Sequence, residues 1–484
     1  MRVVAGTADR GPVVSAGVVI VALSVLTLTV TTGFALKATV PVVALIVAAA
    51  VWYRQLLAWR SLLALVLIVI MFIPMRRYAL PASLPFKLEP YRVLVALIVT
   101  AWFSSLLYDP KVRARVSGFE APLLAFCFAV LLSDVVNPTR VKAEQSYVLK
   151  NLTFLLSFVL AFYLVVSVVR TLGSLELLLK VLVACGAIVA VSAVIETRTD
   201  YNIFNHLQGL VPMIHLSELP RQQDRGARLR AYASAEHPIA LGAMLVMLVP
   251  FAIYLARRTG KWLWKAAGFL LALGVLATVS RTGVMMLIVV AVVFVKHRPK
   301  QTKRYWPLLI PGLLVAHVAL PGTFGPLFHS FFPKGGLVQE QTASKGTYGS
   351  GRIADVGPSL EVFKAHPLIG EGYGTRVTDW GKANAPILDD EWLGTLLETG
   401  IIGAGSLLWL FCRVIRRLSR AAKEDDSDVG WLLTGLTAAI AAFAWGMLTY
   451  DTLGFTQVTF LLFVVLGFAS VLLHLRESEA TALA

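Results

Sequence analysis

Along most of this chain apolar residues do not alternate with polar ones; they run on. Stretches near the length needed to cross roughly 30 Å of hydrocarbon, about 20 residues each, recur almost from end to end. They lie near 13–36, 38–53, 61–74, 93–108, 121–136, 151–169, 175–195, 238–255, 263–279, 283–295, 306–320, 395–415, 431–448 and 457–473. This predicts about 14 helices, or as few as about 12 if the shortest runs are half-spans. One polar stretch, Leu320 to Leu393, is far longer than any other loop. The predicted fold class is all-α: a polytopic transmembrane helical bundle of about 12–14 spans with one long extracytoplasmic loop. It divides the chain into N-terminal transmembrane helices (1–319), a loop with amphipathic helices (320–394), and C-terminal transmembrane helices with a short cytoplasmic tail (395–484).

Composition strengthens this picture. Hydrophobic residues make up 57% and charged residues 15%, and the mean hydropathy is +0.74, so the bilayer is the expected solvent. Cys127, Cys185 and Cys412 all fall inside apolar runs and lack the spacing of a metal site or disulfide scaffold, so no metal is expected. The weakly charged start enters a long apolar run without a small-residue cleavage site and reads as a retained first span.

The net charge of +16 would suit nucleic acid, but its distribution does not. Lys and Arg gather in alternate short loops: Arg54 and Arg60; Lys111, Arg113 and Arg115; Arg257, Arg258, Lys261 and Lys265; Lys296 to Arg304; Arg413 to Lys423. That pattern orients a membrane protein with these loops inside, so both termini are expected in the cytoplasm of a cell-membrane protein. The opposite face then receives Arg76 and Arg77, the segment Glu196 to Arg230, the turn Ser280 to Gly283, and the long loop. No internal repeat is visible, as a transporter of inverted halves would tend to show.

Four polar stretches on that face carry the candidate chemistry. Arg225-Gly-Ala-Arg-Leu-Arg230 followed by Glu236-His237 brings cations to the mouth of the run at 238–255, suited to an anionic group. The plainer reading of Arg225 and Arg228 is snorkelling beside lipid headgroups. Ser280-Arg281-Thr282-Gly283 places an arginine between two apolar runs, either in a tight outer turn or facing a polar cavity. In the long loop, Gly349-Ser-Gly-Arg352 precedes Ile353, Val356, Leu360 and Phe363 at helical spacing, an amphipathic helix that Gly357-Pro358 is expected to start late. His366-Pro-Leu-Ile-Gly-Glu-Gly-Tyr-Gly374 follows, its glycines lacking the strand and Lys-Ser/Thr of a nucleotide site and so read as a flexible turn. Finally Asp389-Asp390-Glu391 opens the run ending Glu398-Thr-Gly400; adjacent carboxylates either cap the helix or raise one pKa towards proton acceptance. Asp451, beside Tyr450 in a short outer turn, either faces the same cavity or caps the last helix.

Taken in order, an arginine, Ser-Arg-Thr-Gly, Gly-Arg, His-Pro-Leu-Ile-Gly and a Leu-x-x-x-x-Glu-x-Gly ending resemble the O-antigen ligase and O-antigen polymerase family of membrane glycosyltransferases, mainly over residues 220 to 410. The resemblance implies a GT-C-like helical enzyme that passes a glycan from a polyprenyl diphosphate carrier to a glycan or lipid acceptor, without cofactor or metal; direct attack by the acceptor hydroxyl then implies inversion at the anomeric carbon. It further implies that Arg230, Arg281 and Arg352 hold the carrier diphosphate. The family's activating histidine falls nine residues before the glutamate, which here is Asp389; His366 and Glu391 are the rival candidates. An aspartate is the weaker base unless its neighbours raise it. A transporter or flippase of lipid-linked glycans would use a similar basic cavity without making a bond.

Overall fold

The structure, a computed structural model, describes residues 58–80, 88–108, 113–211, 214–217, 219, 223–225, 228–304, 307, 309–336, 339, 352–378 and 382–483. The expected spans at 13–36 and 38–53, with Arg54, lie outside them. Each later apolar run coincides with a helix: α1 Trp59–Phe72, α2 Pro90–Tyr108, α3 Glu120–Val136, α4 Gln145–Val168, α5 Leu172–Thr199, α6 Pro238–Thr259, α7 Trp262–Ala277, α8 Arg281–His297 and α9 Leu309–Ala319. After α10 Phe324–Phe331 and α11 Arg352–Ala365 come α12 Glu391–Lys423, α13 Asp428–Gly446 and α14 Thr456–Leu483. Two antiparallel two-residue ladders, Tyr78–Ala79 with His215–Leu216 and Asp224–Arg225 with Arg228–Leu229, are the strands among the described residues.

The chain is an all-α polytopic bundle. Among the described residues 7 helices are long and apolar enough to cross a membrane, or up to 8 counting one bent pair. That pair corrects the simple span expected at 306–320: Ile310–Ala319 and Phe324–Phe331 meet at 114°, turning at Pro321-Gly322. The helices α1, α3, α7 and α8 are shorter but pack into the same bundle.

Helix α6 is the axis of the assembly. His237 caps it, Pro238 enters at the first turn where no N–H is needed, and Gly260 ends it at φ 67°. Its most apolar stretch is 83% buried, against α5, α7, α8, α13 and α14. Without a hydrophobic drive between helices in lipid, such contact depends on small residues that let backbones approach. Gly274 of α7 lies where an added Cβ would sit 2.7 Å from the Ala190 Cβ of α5 and 2.8 Å from the Leu245 Cδ1 of α6. Gly242 of α6 faces α8 more loosely, an added Cβ falling 3.3 Å from the Thr278 Oγ1 and an ordinary 3.7 Å from the Gly283 Cα.

Two ends are distinguished by their bonds. At one, Arg258 meets Glu176 and Asp428, and the buried Arg298 meets Asp426 and the Ala422 and Asp425 carbonyls. At the other, the 76–77 segment, the 200–237 connection, the turn at 277–281 and the turn at 447–455 join one another.

The glycine contacts give a paired expectation on one helix. Gly274→Ala should lower thermal stability in detergent by about 1–3 kcal/mol through overpacking. Gly268→Ala, whose Cβ would meet only the Ala252 Cβ at an ordinary 3.4 Å, should change it little. Equal melting temperatures for the two variants would contradict this packing.

Candidate functional site

The turn between α7 and α8 is where distant arginines meet. Val279 adopts φ 47° there, a left-handed conformation that a β-branched residue takes only under constraint. Ser280 caps α8 through Gly283 N–H, so Arg281 opens the helix and its NH1 donates to the Ser330 carbonyl of α10 at 2.7 Å. From the other side, Arg230 donates through Nε to the Thr278 carbonyl at 3.2 Å and through NH1 to Gln223 Oε1 at 2.9 Å. Ala231 N–H donates to the Ala277 carbonyl at 3.3 Å. Arg230 is buried and Arg281 half-buried, both at this turn. Arg352 begins α11; its side chain, like those of Arg225 and Arg228, lies outside what the structure describes.

The connection from Arg230 to α6 is irregular and buried, so each of its peptide groups needs a partner. Glu196, in the last turn of α5, accepts the N–H groups of Tyr232 and Ala233 at 3.2 and 2.8 Å and the Asn202 amide at 2.9 Å. Arg77 donates to the carbonyls of Ala233 and Ala235 and to Asn205 Oδ1, with its guanidinium 4.6 Å from the Tyr232 ring centre. Burial lowers the Arg77 guanidinium to about 10, so it stays charged at neutral pH. Beyond this segment, His237 Nδ1 accepts the Ile239 N–H, its Nε2 lies 2.7 Å from the Gln223 amide, and its ring lies 5.4 Å from that of Phe455. Glu236 sits 3.5 Å from Arg76, with neither carboxylate oxygen hydrogen-bonded among the described residues. Burial is the main cause that raises it to about 7, with Arg76 opposing.

The carboxylates fall around the start of α12. Asp390 caps it through Leu393 N–H at 3.1 Å. Glu391 accepts from Thr395 Oγ1 at 3.0 Å and from Leu453 N–H at 2.8 Å, tying α12 to the 447–455 turn. Asp389 precedes them, half-exposed. Asp451 is exposed and accepts Gly454 N–H at 3.1 Å, a turn-closing contact just ahead of α14.

His366 lies elsewhere in its chemistry: its ring is exposed at the end of α11, and the loop after it is docked rather than flexible. Gly400 breaks α12 with φ 64° and ψ −166°. The carbonyls freed at Leu397 and Glu398 accept the N–H groups of Glu371 and Gly372, and the freed N–H groups of Ile401 and Ile402 donate to the carbonyls of Pro367 and Leu368. Gly370, at φ 81°, sits where a Cβ would fall 2.4 Å from the Glu398 carbonyl carbon, so the glycine is needed for close approach. Ser133 of α3 accepts the Gly372 N–H, Asn137 just after α3 donates to the Gly370 carbonyl, and Arg140 pairs with Glu371 at 2.7 Å. Burial holds the Tyr373 phenol well above its ordinary value, among Glu398, Glu391, Asp451 and Asp134. The amphipathic helix also begins earlier than Gly357-Pro358 implied: α11 opens at Arg352 with Pro358 inside it.

The structure thus brings Arg230 and Arg281 to one turn, keeps Asp389 and Glu391 at the same end of the bundle, and leaves His366 exposed on the docked loop. Gln223 and Glu196 carry contacts that no motif signalled; a carboxylate closing a long apolar run was the one available hint.

Two measurements follow. Gly400→Ala should destabilise by about 1–3 kcal/mol, since φ 64° with ψ −166° belongs to glycine, and should expose the 366–374 loop to protease; an unchanged cleavage pattern would refute the docking. Because Glu236 holds its proton to about 7 when folded but releases it near 4.5 when unfolded, its contribution is complete below 4.5 and lost as pH rises to about 7. Glu236→Gln should flatten the fall in melting temperature between pH 5 and 7.5, and a parallel slope would exclude this role.

Residues 266–408 match the family model described as O-antigen ligase, a stretch containing Arg281, Arg352, His366, the three acidic residues and the Gly400 break. No curated protein matches the chain. Over residues 266–408 the chain is therefore similar to the O-antigen ligase family.

Proposed function

We propose that the chain transfers or polymerises glycan from a polyprenyl diphosphate-linked donor onto an acceptor hydroxyl, at the extracytoplasmic face of the cell membrane. The observation that carries the reading is that Arg230, distant in sequence, binds the Thr278 carbonyl of the very turn from which Arg281 opens α8. The basic loops at 257–265, 296–304 and 413–423 lie at the end containing Arg258 and Arg298, which favours that end as cytoplasmic and the arginine turn as external.

The residue types fit the chemistry. A sugar on a diphosphate already carries a good leaving group, so the protein must stabilise departing charge and orient the attacking hydroxyl. Guanidinium groups stay charged and bind phosphate oxygens in pairs, and Arg230 and Arg281, with Arg352 from the start of α11, would carry the leaving diphosphate. The hydroxyl's proton passes to a carboxylate: its O–H bond breaks, its oxygen bonds the anomeric carbon, and the carrier diphosphate departs with inversion. We rank Asp389 ahead of Glu391 for this step, because both Glu391 oxygens are engaged, one by Thr395 Oγ1 of its own helix and one by Leu453 N–H of the 447–455 turn. His366 remains a second candidate through movement of the docked loop. A glycan or a lipid-linked glycan serves as acceptor, and the carrier hydrocarbon stays among the helices.

In purified protein given a labelled lipid-linked oligosaccharide, Arg230→Ala, Arg281→Ala and Arg352→Ala should each reduce transfer by about a hundredfold without altering helicity or elution. Full activity in any one removes that residue from the site. Asp389→Asn should lower kcat more than it raises KM. Carrier movement across vesicles with no new glycosidic bond would replace the enzyme with a transporter.

A further inference from the structure

We propose that Arg77 and Glu196 are positioning residues for Arg230, acting as a two-sided clamp on the segment that delivers it; this rests on Arg230 contacting the donor diphosphate. The clamp closes on Ala233. Its N–H goes to Glu196 at 2.8 Å, and its carbonyl receives Arg77 NH1 at 2.8 Å and the Asn202 amide at 3.1 Å. Ala233 adopts φ 41°, a conformation alanine does not choose unaided. Carboxylate on the N–H side and guanidinium on the carbonyl side together fix one strained residue in space.

Both charges are 1% exposed, and they come from separate parts of the chain: one between α1 and α2, the other in the last turn of α5. Burying them is costly, and a segment needed only to connect two helices could have been a solvent-facing loop without either. What the pair fixes instead is the path between two groups at the arginine turn. Arg230 lies three residues before Ala233 and is tied to Thr278; His237 lies four residues after it, tied through Gln223 to Arg230. The same turn of α5 reaches the other half of the site, as Thr197 Oγ1 lies 3.5 Å from the Ala277 carbonyl that also receives Ala231 N–H. One helix end therefore sets Arg230 against the turn that opens α8. The aspect of catalysis this governs is where the guanidinium stands, since displacement of a binding group by about 1 Å can cost on the order of a hundredfold in rate.

Non-additivity tests this in the full-length protein reconstituted in nanodiscs, reading transfer from a lipid-linked oligosaccharide and binding of inorganic pyrophosphate. Glu196→Gln keeps the shape but presents an amide to the two N–H donors. It should lower kcat/KM and weaken pyrophosphate binding about tenfold or more. In the Arg230→Ala background the same change should add less than about twofold, since neighbours acting through one group do not sum. Arg77→Lys, which keeps the charge but loses the paired reach, should show a smaller loss with the same non-additivity, and it stands in if Glu196→Gln does not fold. Wild-type binding in both variants, or losses that multiply with that of Arg230→Ala, would overturn the clamp. If Arg230→Ala itself leaves transfer and binding unchanged, the reading of the site falls, and the clamp as a device for it falls too.

Discussion

Backbone peptide groups that leave a helix inside an apolar bundle must be met by other groups of the protein, because lipid offers none. Among the described residues, three places where the chain stops being helical within the bundle show how that constraint is met. At Gly400 the partners are another stretch of backbone, the 367–372 segment, which supplies two acceptors and two donors to the interrupted ladder. At 231–235 they are charged side chains, Glu196 and Arg77. At 277–281 they are Arg230 and the main chain of Ala231. Arg230 lies in such an irregular segment, and Arg281 and Glu391 stand in the first turn of the helices that follow two others.

The helices were legible because their cause is local. A run of apolar residues bounded by Gly, Pro or charge becomes a helix regardless of distant sequence, and α6 with His237-Pro238 at one end and Gly260 at the other shows each signal in place. The position of Arg281 was also accessible: an arginine between apolar runs has few places to go. The Gly400 break was not, since Glu-Thr-Gly-Ile-Ile-Gly reads as an ordinary apolar continuation and the partners that permit the break lie some thirty residues earlier. Nor was the sharp bend between α9 and α10, where Pro321-Gly322 marks a turn but not its angle. The late start expected for α11 failed because Pro358 is tolerated inside the helix, where its missing N–H removes a single bond.

The site divides by charge. Guanidinium groups gather at the arginine turn and around Glu236, and carboxylates gather at the start of α12. The 447–455 turn links the halves: its Gly454 carbonyl receives Arg76, its Phe455 ring lies by His237, and its Leu453 N–H holds Glu391. A donor of negative charge on one side and a hydroxyl to be deprotonated on the other would find matching surroundings.

The splice at Gly400 makes one body of two segments far apart in sequence. Four hydrogen bonds join 367–372 to 397–402, and glycines on both sides bring the backbones too close for a side chain to intervene. The spacing between the His366 backbone and the Glu398 backbone is therefore not a degree of freedom of this molecule. Whatever fixes the first two turns of α12 in place therefore also fixes where the exposed imidazole stands.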